Sequence, residues 1–175
     1  ALVAPSESVA AIMREWGVQG KIVVIPNGVD VARFTYPDHC ITRAGLGLPD
    51  DAVVAMYVGR MSGEKSIDRL LQLFAYVAAE YEPVHLMLVG EGPDLEPLRE
   101  LARELNLGAR VHFTGGVGYE KIPAYMALAD FFVSASVSEV HPLTFIEAAA
   151  AGLPALVMPS PGLAHIVVER QTGLI

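Results

Sequence analysis

Short apolar runs alternate along the chain with longer segments of helical periodicity. The runs are rich in Val, Ile, Leu and Phe, and most end at Gly, Pro or Ser, as buried strands do. They predict strands at Ile22–Ile25, Val53–Val58, His85–Val89, Arg110–Phe113, Phe131–Ser134 and Ala155–Met158. Because such strands read as continuous apolar runs, the pattern indicates a sheet covered on both faces.

Five segments place apolar residues at the i, i+3, i+4 and i+7 spacing of an amphipathic helix. The first runs from Val9 to Trp16 and has Ser6 as its predicted N-cap. The others begin near Ile67, Leu95 (opened by Pro93), Ile122 and Thr144, the last ending at Gly152. This alternation predicts right-handed βαβ units and a three-layer, Rossmann-like, doubly wound parallel sheet of the α/β class.

Ligands of such sheets bind beyond the carboxyl ends of the strands, which makes the loops after Val58, Val89, Phe113 and Ser134 the candidate ligand-binding loops.

The length of 175 residues predicts one domain, and the 53% of hydrophobic residues excludes a disordered chain. A net charge of −8 excludes a global basic surface for nucleic acid. The lone Cys40 and the lack of a membrane-length apolar segment predict a cytoplasmic location.

The loop at 59–66, which follows Val58, suits an anion. It carries Gly59, Arg60 and Lys65 and leads into a helix, so backbone N–H groups and two cations can meet phosphate oxygens. The loop nearly matches a Walker A motif, but Glu64 stands where the second glycine belongs and would repel phosphate. We therefore predict Arg60 and Lys65 as diphosphate ligands, with a solvated turn and a P-loop NTPase as alternatives.

Two further loops are rich in glycine. The run from Gly90 to Leu95 begins like the dinucleotide fingerprint G-x-G-x-x-G, but Leu95 replaces its third glycine, so the match to an NAD-binding loop is incomplete. Gly90 and Gly92 are expected to shape a tight turn, or else to let a ligand pass closely. The run at 113–118 leaves backbone groups that either read the edge of a base or form a simple turn.

The segment at 136–154 carries two carboxylates in the spacing E-x7-E, Glu139 in a loop and Glu147 in the following helix. The first helical turn, at Leu143 and Thr144, points N–H groups at the loop and favours an anion. A carboxylate at Glu147 has small apolar neighbours and needs donors, which ligand hydroxyls would supply. A glycosidase acid/base pair and a structural carboxylate with one solvated Glu are the alternatives.

The histidines divide into two groups. His141 lies inside the E-x7-E segment, where a ligand-facing role and a packing role are both open. The other four, which lack metal-ligand spacing and are expected on the surface or in strands, are His39, His85, His112 and His165. We therefore predict neither a metal site nor a cofactor.

Several motifs together resemble a known family. They are the run Ile25–Phe34 with the letters IPNGVDVARF, then Tyr57–Arg60 with Lys65, then Val89–Pro93, Phe113–Gly115, and the segment from Glu139 to Pro154. In this order they resemble the C-terminal, donor-binding domain of GT-B fold glycosyltransferases, specifically the retaining family four, also called group one. The resemblance covers nearly the whole chain.

The resemblance implies a role for each matching position. Arg60 and Lys65 would bind the donor diphosphate, and the Leu143 and Thr144 backbone would cap its phosphates. Glu147 would hold the ribose hydroxyls, and Glu139 the hydroxyls of the donor sugar. Other donor-site positions, contributing backbone or loop atoms, are Gly59, Gly90, Val117, Gly118 and His141, with the backbone near Val117 and Gly118 reading the base. Asn27 and Gly28 would shape the loop at the mouth of the domain.

The implied activity is transfer of a hexosyl-type sugar from a UDP-, GDP- or ADP-linked donor, with retention and without a metal. Arg60, Lys65 and Glu139 are the expected catalytic residues. The resemblance implies an acceptor domain in a missing N-terminal half, which would also make any peripheral contact with the inner face of a membrane. Residues 1–175 alone are therefore expected to be inactive. A catalytically silent nucleotide-binding or scaffold domain is the alternative.

Three departures from the family pattern stand out. Val140-His141-Pro142 replaces the usual Gly-Phe-Gly, which bears on the contacts to the sugar. Ser66 replaces a frequent Gly after the lysine, and His165 stands where a Glu is common.

Overall fold

The computed structural model describes residues 1–38, 40–163 and 165–175. Its main sheet has six parallel strands in the order β5-β4-β3-β6-β7-β8. Their bounds are β3 Val53–Val58, β4 Val84–Val89, β5 Val111–Gly115, β6 Phe131–Ser134, β7 Ala155–Val157 and β8 Gly173–Leu174. The predicted parallel, doubly wound α/β sheet is confirmed.

Both faces of this sheet are buried, as the apolar runs predicted. Along β3, Val54 and Met56 belong to one hydrophobic core, and Ala55 and Tyr57 belong to the other. Side chains of a strand alternate between faces, so a strand with a core on each side must be apolar at every position.

Six α-helices lie in the described residues and flank the strands. Their bounds are α1 Glu7–Glu15, α2 Val31–Thr35, α3 Ile67–Glu80, α4 Leu95–Glu104, α5 Ile122–Met126 and α6 Leu143–Ala150. Helices α3 and α4 bury apolar residues in the core that contains Ala55, and α5 and α6 bury theirs in the core that contains Met56. The five predicted segments correspond to α1, α3, α4, α5 and α6, whereas the five-residue α2 was not predicted.

The N-terminal part departs from the prediction. The predicted strand at Ile22–Ile25 runs from Ile22 to Val24 and pairs in parallel with Leu2–Ala4. These two strands, β2 and β1, form a separate two-stranded sheet, and the main sheet gains β8 instead. Strand β8 has two residues and no apolar run, so its sequence gave no signal.

Details at the helix ends also differ. Ser6 caps α1 as predicted, accepting a hydrogen bond from the Val9 N–H at 3.3 Å. Trp16, however, follows the end of α1 and is 81% exposed, so the predicted apolar face is incomplete. Helix α4 begins two residues after Pro93, with Asp94 at its N-cap, and Gly152 after α6 takes the left-handed conformation of a helix-ending glycine.

The strand order positions the site. After β3 the chain moves outward through β4 and β5, then returns to place β6 on the other side of β3. The reversal makes the carboxyl ends of β3 and β6 a topological switch point, where α/β sheets bind ligands.

No helix in the described ranges has both the length and the apolarity needed to span a bilayer.

Candidate functional site

A cleft of about 900 Å³ opens at the carboxyl ends of β3, β4 and β5 and at the start of α6. Seven of the predicted donor-site residues line it, namely Gly59, Arg60, Gly90, Val117, Leu143, Thr144 and Glu147. Four other predicted residues, Lys65, Gly118, Glu139 and His141, are not in its lining. The cleft is where the sheet topology places a ligand.

Tight packing between the loops after β3 and β4 forms one wall of the cleft. The Met61 N–H donates to the Glu91 carbonyl at 2.9 Å, and the Asp94 N–H donates to the Met61 carbonyl at 3.1 Å. A Cβ on Gly90 would overlap the Gly59 carbonyl oxygen, and a Cβ on Gly92 would overlap the Met61 carbonyl. Glycine at these two positions therefore allows the loops after β3 and β4 to pack backbone against backbone. This packing explains both glycines without a bound dinucleotide.

The start of α6 forms the opposite wall. Pro142 precedes the helix, and no side chain caps its first turn. The first N–H groups of a helix have no partner within the helix, and the helix dipole makes this end positive. Because Leu143 and Thr144 line the cleft together with Arg60, an uncapped helix end and a guanidinium border the same space.

Glu147 lies in the fifth position of α6 and is only 3% exposed. Its Oε1 accepts a hydrogen bond from the Tyr119 hydroxyl at 2.9 Å. Burial raises the pKa of Glu147, while the Tyr119 hydrogen bond and the charge of Arg33 act in the opposite direction. The donor that a buried carboxylate needs is thus supplied by a side chain that the motifs did not indicate.

Lys65 and Glu139 lie beside the cleft and form an ion pair. Lys65 Nζ is 2.9 Å from Glu139 Oε1, and their side chains are 25% and 7% exposed. The Glu139 backbone is held by Ser160, whose Oγ accepts from its N–H at 2.7 Å and donates to its carbonyl at 3.0 Å. Two of the three predicted catalytic residues, Lys65 and Glu139, therefore neutralise each other's charge.

A buried tyrosine lies close to this pair. Burial, and then the charges of Glu139 and Glu64, raise the pKa of Tyr57, so its hydroxyl stays protonated. That hydroxyl donates to the Arg60 carbonyl at 3.3 Å. The contact fixes the backbone from which the Arg60 side chain extends toward the cleft.

His141 combines a fixed backbone with a buried ring nitrogen. Its carbonyl accepts a hydrogen bond from Asn27 Nδ2 at 2.9 Å, which joins the loop after β2 to the loop before α6. Its Nδ1 is buried without a hydrogen-bond partner in the part of the chain that the structure describes. A packing role and a ligand-facing role both remain compatible with this position.

The geometry bears on the alternatives raised by the sequence. Residues Gly63–Lys65 form a 3-10 turn, and Lys65 bonds to a carboxylate, so a P-loop arrangement gains no support. The carboxylates Glu139 and Glu147 are both buried and each has its own donor, unlike a glycosidase pair facing an open cleft.

The histidines outside the cleft have ordinary surroundings. His85 and His112 lie in neighbouring strands β4 and β5, with His85 Nδ1 3.0 Å from His112 Nε2. His165 is an exposed turn residue, and His39 lies outside the described residues. Within the described ranges no cluster of three or more His, Cys, Asp or Glu could hold a metal ion.

Sequence reasoning missed several lining residues. They come mainly from the loops after β4 and β5 and from the strand ends, and are Val58, Val89, Glu91, Leu95, Gly116, Tyr119 and Ile122. Tyr119 matters most because it contacts Glu147. Its one signal in the sequence was its position directly after a glycine-dense loop.

Comparison with known families gives two matches. The model described as "Glycosyl transferases group 1" matches residues 40–175, well over half of the chain. The model described as "Glycosyltransferase Family 4" matches residues 1–33. This second match covers β1, α1, β2 and the start of α2, so it supports the family-four assignment over a short stretch only.

Curated relatives cover the chain almost completely. An alpha-monoglucosyldiacylglycerol synthase of Streptococcus pneumoniae is 33% identical over 179 residues, which are 99% of this chain and 41% of the relative. A D-inositol 3-phosphate glycosyltransferase of Streptomyces avermitilis is 33% identical over 181 residues, 97% of this chain and 39% of the relative. The chain thus spans about two fifths of the length of these relatives.

Solved structures share the fold. Sucrose-phosphate synthase from Thermosynechococcus elongatus matches with a TM-score of 0.85 and 32% identity over 98% of this chain and 44% of that one. HepE from Anabaena, in complex with UDP and glucose, matches with a TM-score of 0.87 and 24% identity over 98% and 48%. With the matching family model, these similarities confirm the resemblance to GT-B fold glycosyltransferases and the Rossmann-like fold. The chain belongs to the glycosyl transferases group 1 family.

Proposed function

We propose that this chain binds a nucleoside diphosphate sugar and is the donor-binding half of a retaining glycosyltransferase. The observation that carries the proposal is that Arg60, the first turn of α6 and Glu147 line one cleft. A cation, a helix start and a carboxylate are the groups that a diphosphate and a ribose require. The HepE structure, which shares this fold, holds UDP and glucose.

The diphosphate would lie between Arg60 and the first turn of α6. The guanidinium offers a planar fork to phosphate oxygens, and the Leu143 and Thr144 N–H groups lie at the positive end of the helix. Lys65 would join them without leaving Glu139. An ammonium has three donors, so one can bond the carboxylate while two remain for phosphate oxygens.

The nucleoside would occupy the part of the cleft near α6 and the loop after β5. Glu147 would accept hydrogen bonds from the ribose hydroxyls, and the backbone near Val117 and Gly118 would read the base. Glu139 would contact hydroxyls of the sugar. We assign this sugar contact to the Glu139 carboxylate, in the segment where Val140-His141-Pro142 replaces the glycines of the family pattern.

The proposed reaction exchanges one bond at the anomeric carbon for another. The bond from that carbon to the diphosphate oxygen breaks, and its electron pair stays on the diphosphate. The acceptor hydroxyl oxygen bonds to the same face of the carbon, and its proton passes to the departing diphosphate. Arg60, Lys65 and the helix start would stabilise the charge that develops, in the role that a metal plays elsewhere.

The rest of the active protein is a proposal as well. Because the chain spans about two fifths of its relatives, we propose that an N-terminal acceptor domain completes a hexosyltransferase and that residues 1–175 alone transfer no sugar. We also propose a cytoplasmic protein with peripheral contact at the inner face of the membrane. The diacylglycerol in the name of one relative supports a lipid acceptor.

Calorimetric titration with UDP, GDP and ADP tests the proposed site. We expect at least one to bind and the double variant Arg60→Ala/Lys65→Ala to weaken it by roughly 1.5–3 kcal/mol per lost contact. Arg69→Ala, on the exposed side of α3, is the matched control and should bind as the unmodified chain does. Binding to none of the three, or equal binding by the double variant, would overturn the assignment.

A further inference from the structure

Tyr119 and Glu147 form a pair inside the cleft that the proposed donor contacts leave unexplained. Both side chains line the cleft, and Tyr119 is 53% exposed whereas Glu147 is 3% exposed. The phenol therefore reaches from solvent to a buried carboxylate and donates to its Oε1 at 2.9 Å. The Oε2 atom accepts from no side chain in the described ranges, so one carboxylate oxygen is available to a ligand.

A second contact fixes the ring of Tyr119. The guanidinium carbon of Arg33, on α2, lies 4.8 Å from the ring centre. A cation over an aromatic face is attracted by the ring, and this contact holds the ring plane from the side of α2. Because α2 packs against α6, the helix that carries Glu147, both ends of the Arg33–Tyr119–Glu147 chain are anchored to the same core.

We propose that Tyr119, supported by Arg33, is a positioning residue that holds the Glu147 carboxylate in the orientation that accepts the ribose hydroxyls of the nucleotide. The inference rests on the proposed nucleotide-binding function. Tyr119 would occupy Oε1 and direct Oε2 at the ligand. Removing the Tyr119 hydroxyl should then lower the affinity for the nucleotide by weakening the contacts to the ribose. The contacts to the base and the diphosphate should not change.

The charge state of Glu147 depends on the groups around it. Burial raises its pKa, and Tyr119 and Arg33 oppose that rise. Asp30 lies close to Tyr119, and Arg60 and Glu91 line the same cleft from the loops after β3 and β4. Without the phenol hydroxyl, Glu147 should take up a proton at a higher pH and become a weaker acceptor for hydroxyl groups.

The test compares a ribonucleotide with its 2′-deoxy counterpart in the variant Tyr119→Phe. Of UDP, GDP and ADP, the one that binds best is titrated alongside dUDP, dGDP or dADP as appropriate. We expect the variant to bind the ribonucleotide about tenfold more weakly, the usual size of a lost bond to a charged group, and to show a smaller loss for the deoxynucleotide, which keeps only the 3′ hydroxyl. Between about pH 7.5 and about pH 5.5, the affinity of the variant for the ribonucleotide should fall more steeply than that of the unmodified chain.

Two further variants complete the design. Tyr76→Phe removes a hydroxyl from a tyrosine that is 77% exposed on α3, outside the cleft, and should change neither affinity. Arg33→Gln should act in the same direction as Tyr119→Phe with a smaller effect, and it decides the question if Tyr119→Phe does not fold.

The outcomes separate the two proposals. If the unmodified chain binds no nucleotide, the proposed function fails. If it binds nucleotide but the variants lose equal affinity for both forms of the sugar, or none, the positioning role alone is overturned.

Discussion

The ammonium of Lys65 bonds the carboxylate of Glu139 at 2.9 Å and so joins the loops after β3 and β6. These strands are neighbours at the switch point of the sheet. A second link, from Ser138 Oγ to the Glu64 carbonyl at 3.3 Å, runs between the same loops. The Lys65–Glu139 pair thus holds these two loops together, in addition to the catalytic roles that we propose for both residues.

Replacing Lys65 by Met should destabilise the chain. Glu139 would stay buried without its cation, and we expect a loss of about 2 kcal/mol, below the roughly 3–5 kcal/mol of a fully buried pair because Lys65 is a quarter exposed. Urea unfolding measures the change. The double variant Lys65→Met/Glu139→Gln should recover part of the loss, and an equal or larger loss in the double variant would contradict this reading.

Gly90→Ala should destabilise the chain and damage the cleft wall. The φ of Gly90 is +142°, and an added Cβ would overlap the Gly59 carbonyl oxygen, so both backbone strain and a clash oppose alanine. We expect a loss of at least about 3 kcal/mol in thermal or urea unfolding. Gly28→Ala is the matched control, since its Cβ would meet open space. Similar stabilities for the two variants would refute the packing argument.

The His85–His112 pair should make stability depend on pH. Burial lowers the pKa of both side chains below 6.5, and the charges of His112 and Arg110 lower the pKa of His85 further. The unfolded chain therefore binds more protons, so stability is present above about pH 6.5 and is lost as the pH falls through the folded-state pKa values.

The pair can be replaced by side chains that do not titrate. Asn at position 85 and Gln at position 112 place amide groups near the bonded nitrogens, so His85→Asn/His112→Gln should flatten the loss of unfolding free energy between about pH 7 and about pH 5. His165→Gln replaces an exposed histidine by an amide and is the matched control for the loss of an imidazole. An unaltered slope in the double variant would show that other groups control it.

Local patterns predicted most of the fold because the sheet is buried on both sides. In β3 every residue from Val54 to Val58 is buried, which gives an unbroken apolar run that cannot be mistaken for an exposed strand. The pattern failed where burial is partial. Strand β2 is half-buried throughout, and no local signal tells whether it pairs with β1 or with the main sheet.

The candidate site was predicted in part for a similar reason. Arg60 and Glu147 were identifiable because a cation in a glycine loop and a carboxylate among alanines are unusual in their own segments. Tyr119 was not, because an exposed tyrosine in a loop is ordinary until the fold brings it to Glu147, 28 residues away. The pairing of Lys65 with Glu139 spans 74 residues and was likewise invisible.

The sequence by itself determined the alternation of strand and helix, the loops that face a ligand and the family to which the chain belongs, since each depends on residue order within a short segment. Only the tertiary structure decided which charges are paired and which line the cleft. Arg60 borders the cleft while Lys65 is bound to a buried carboxylate. The physical reason is that electrostatic and hydrogen-bond partners are set by distance in space, which the strand order of the sheet controls.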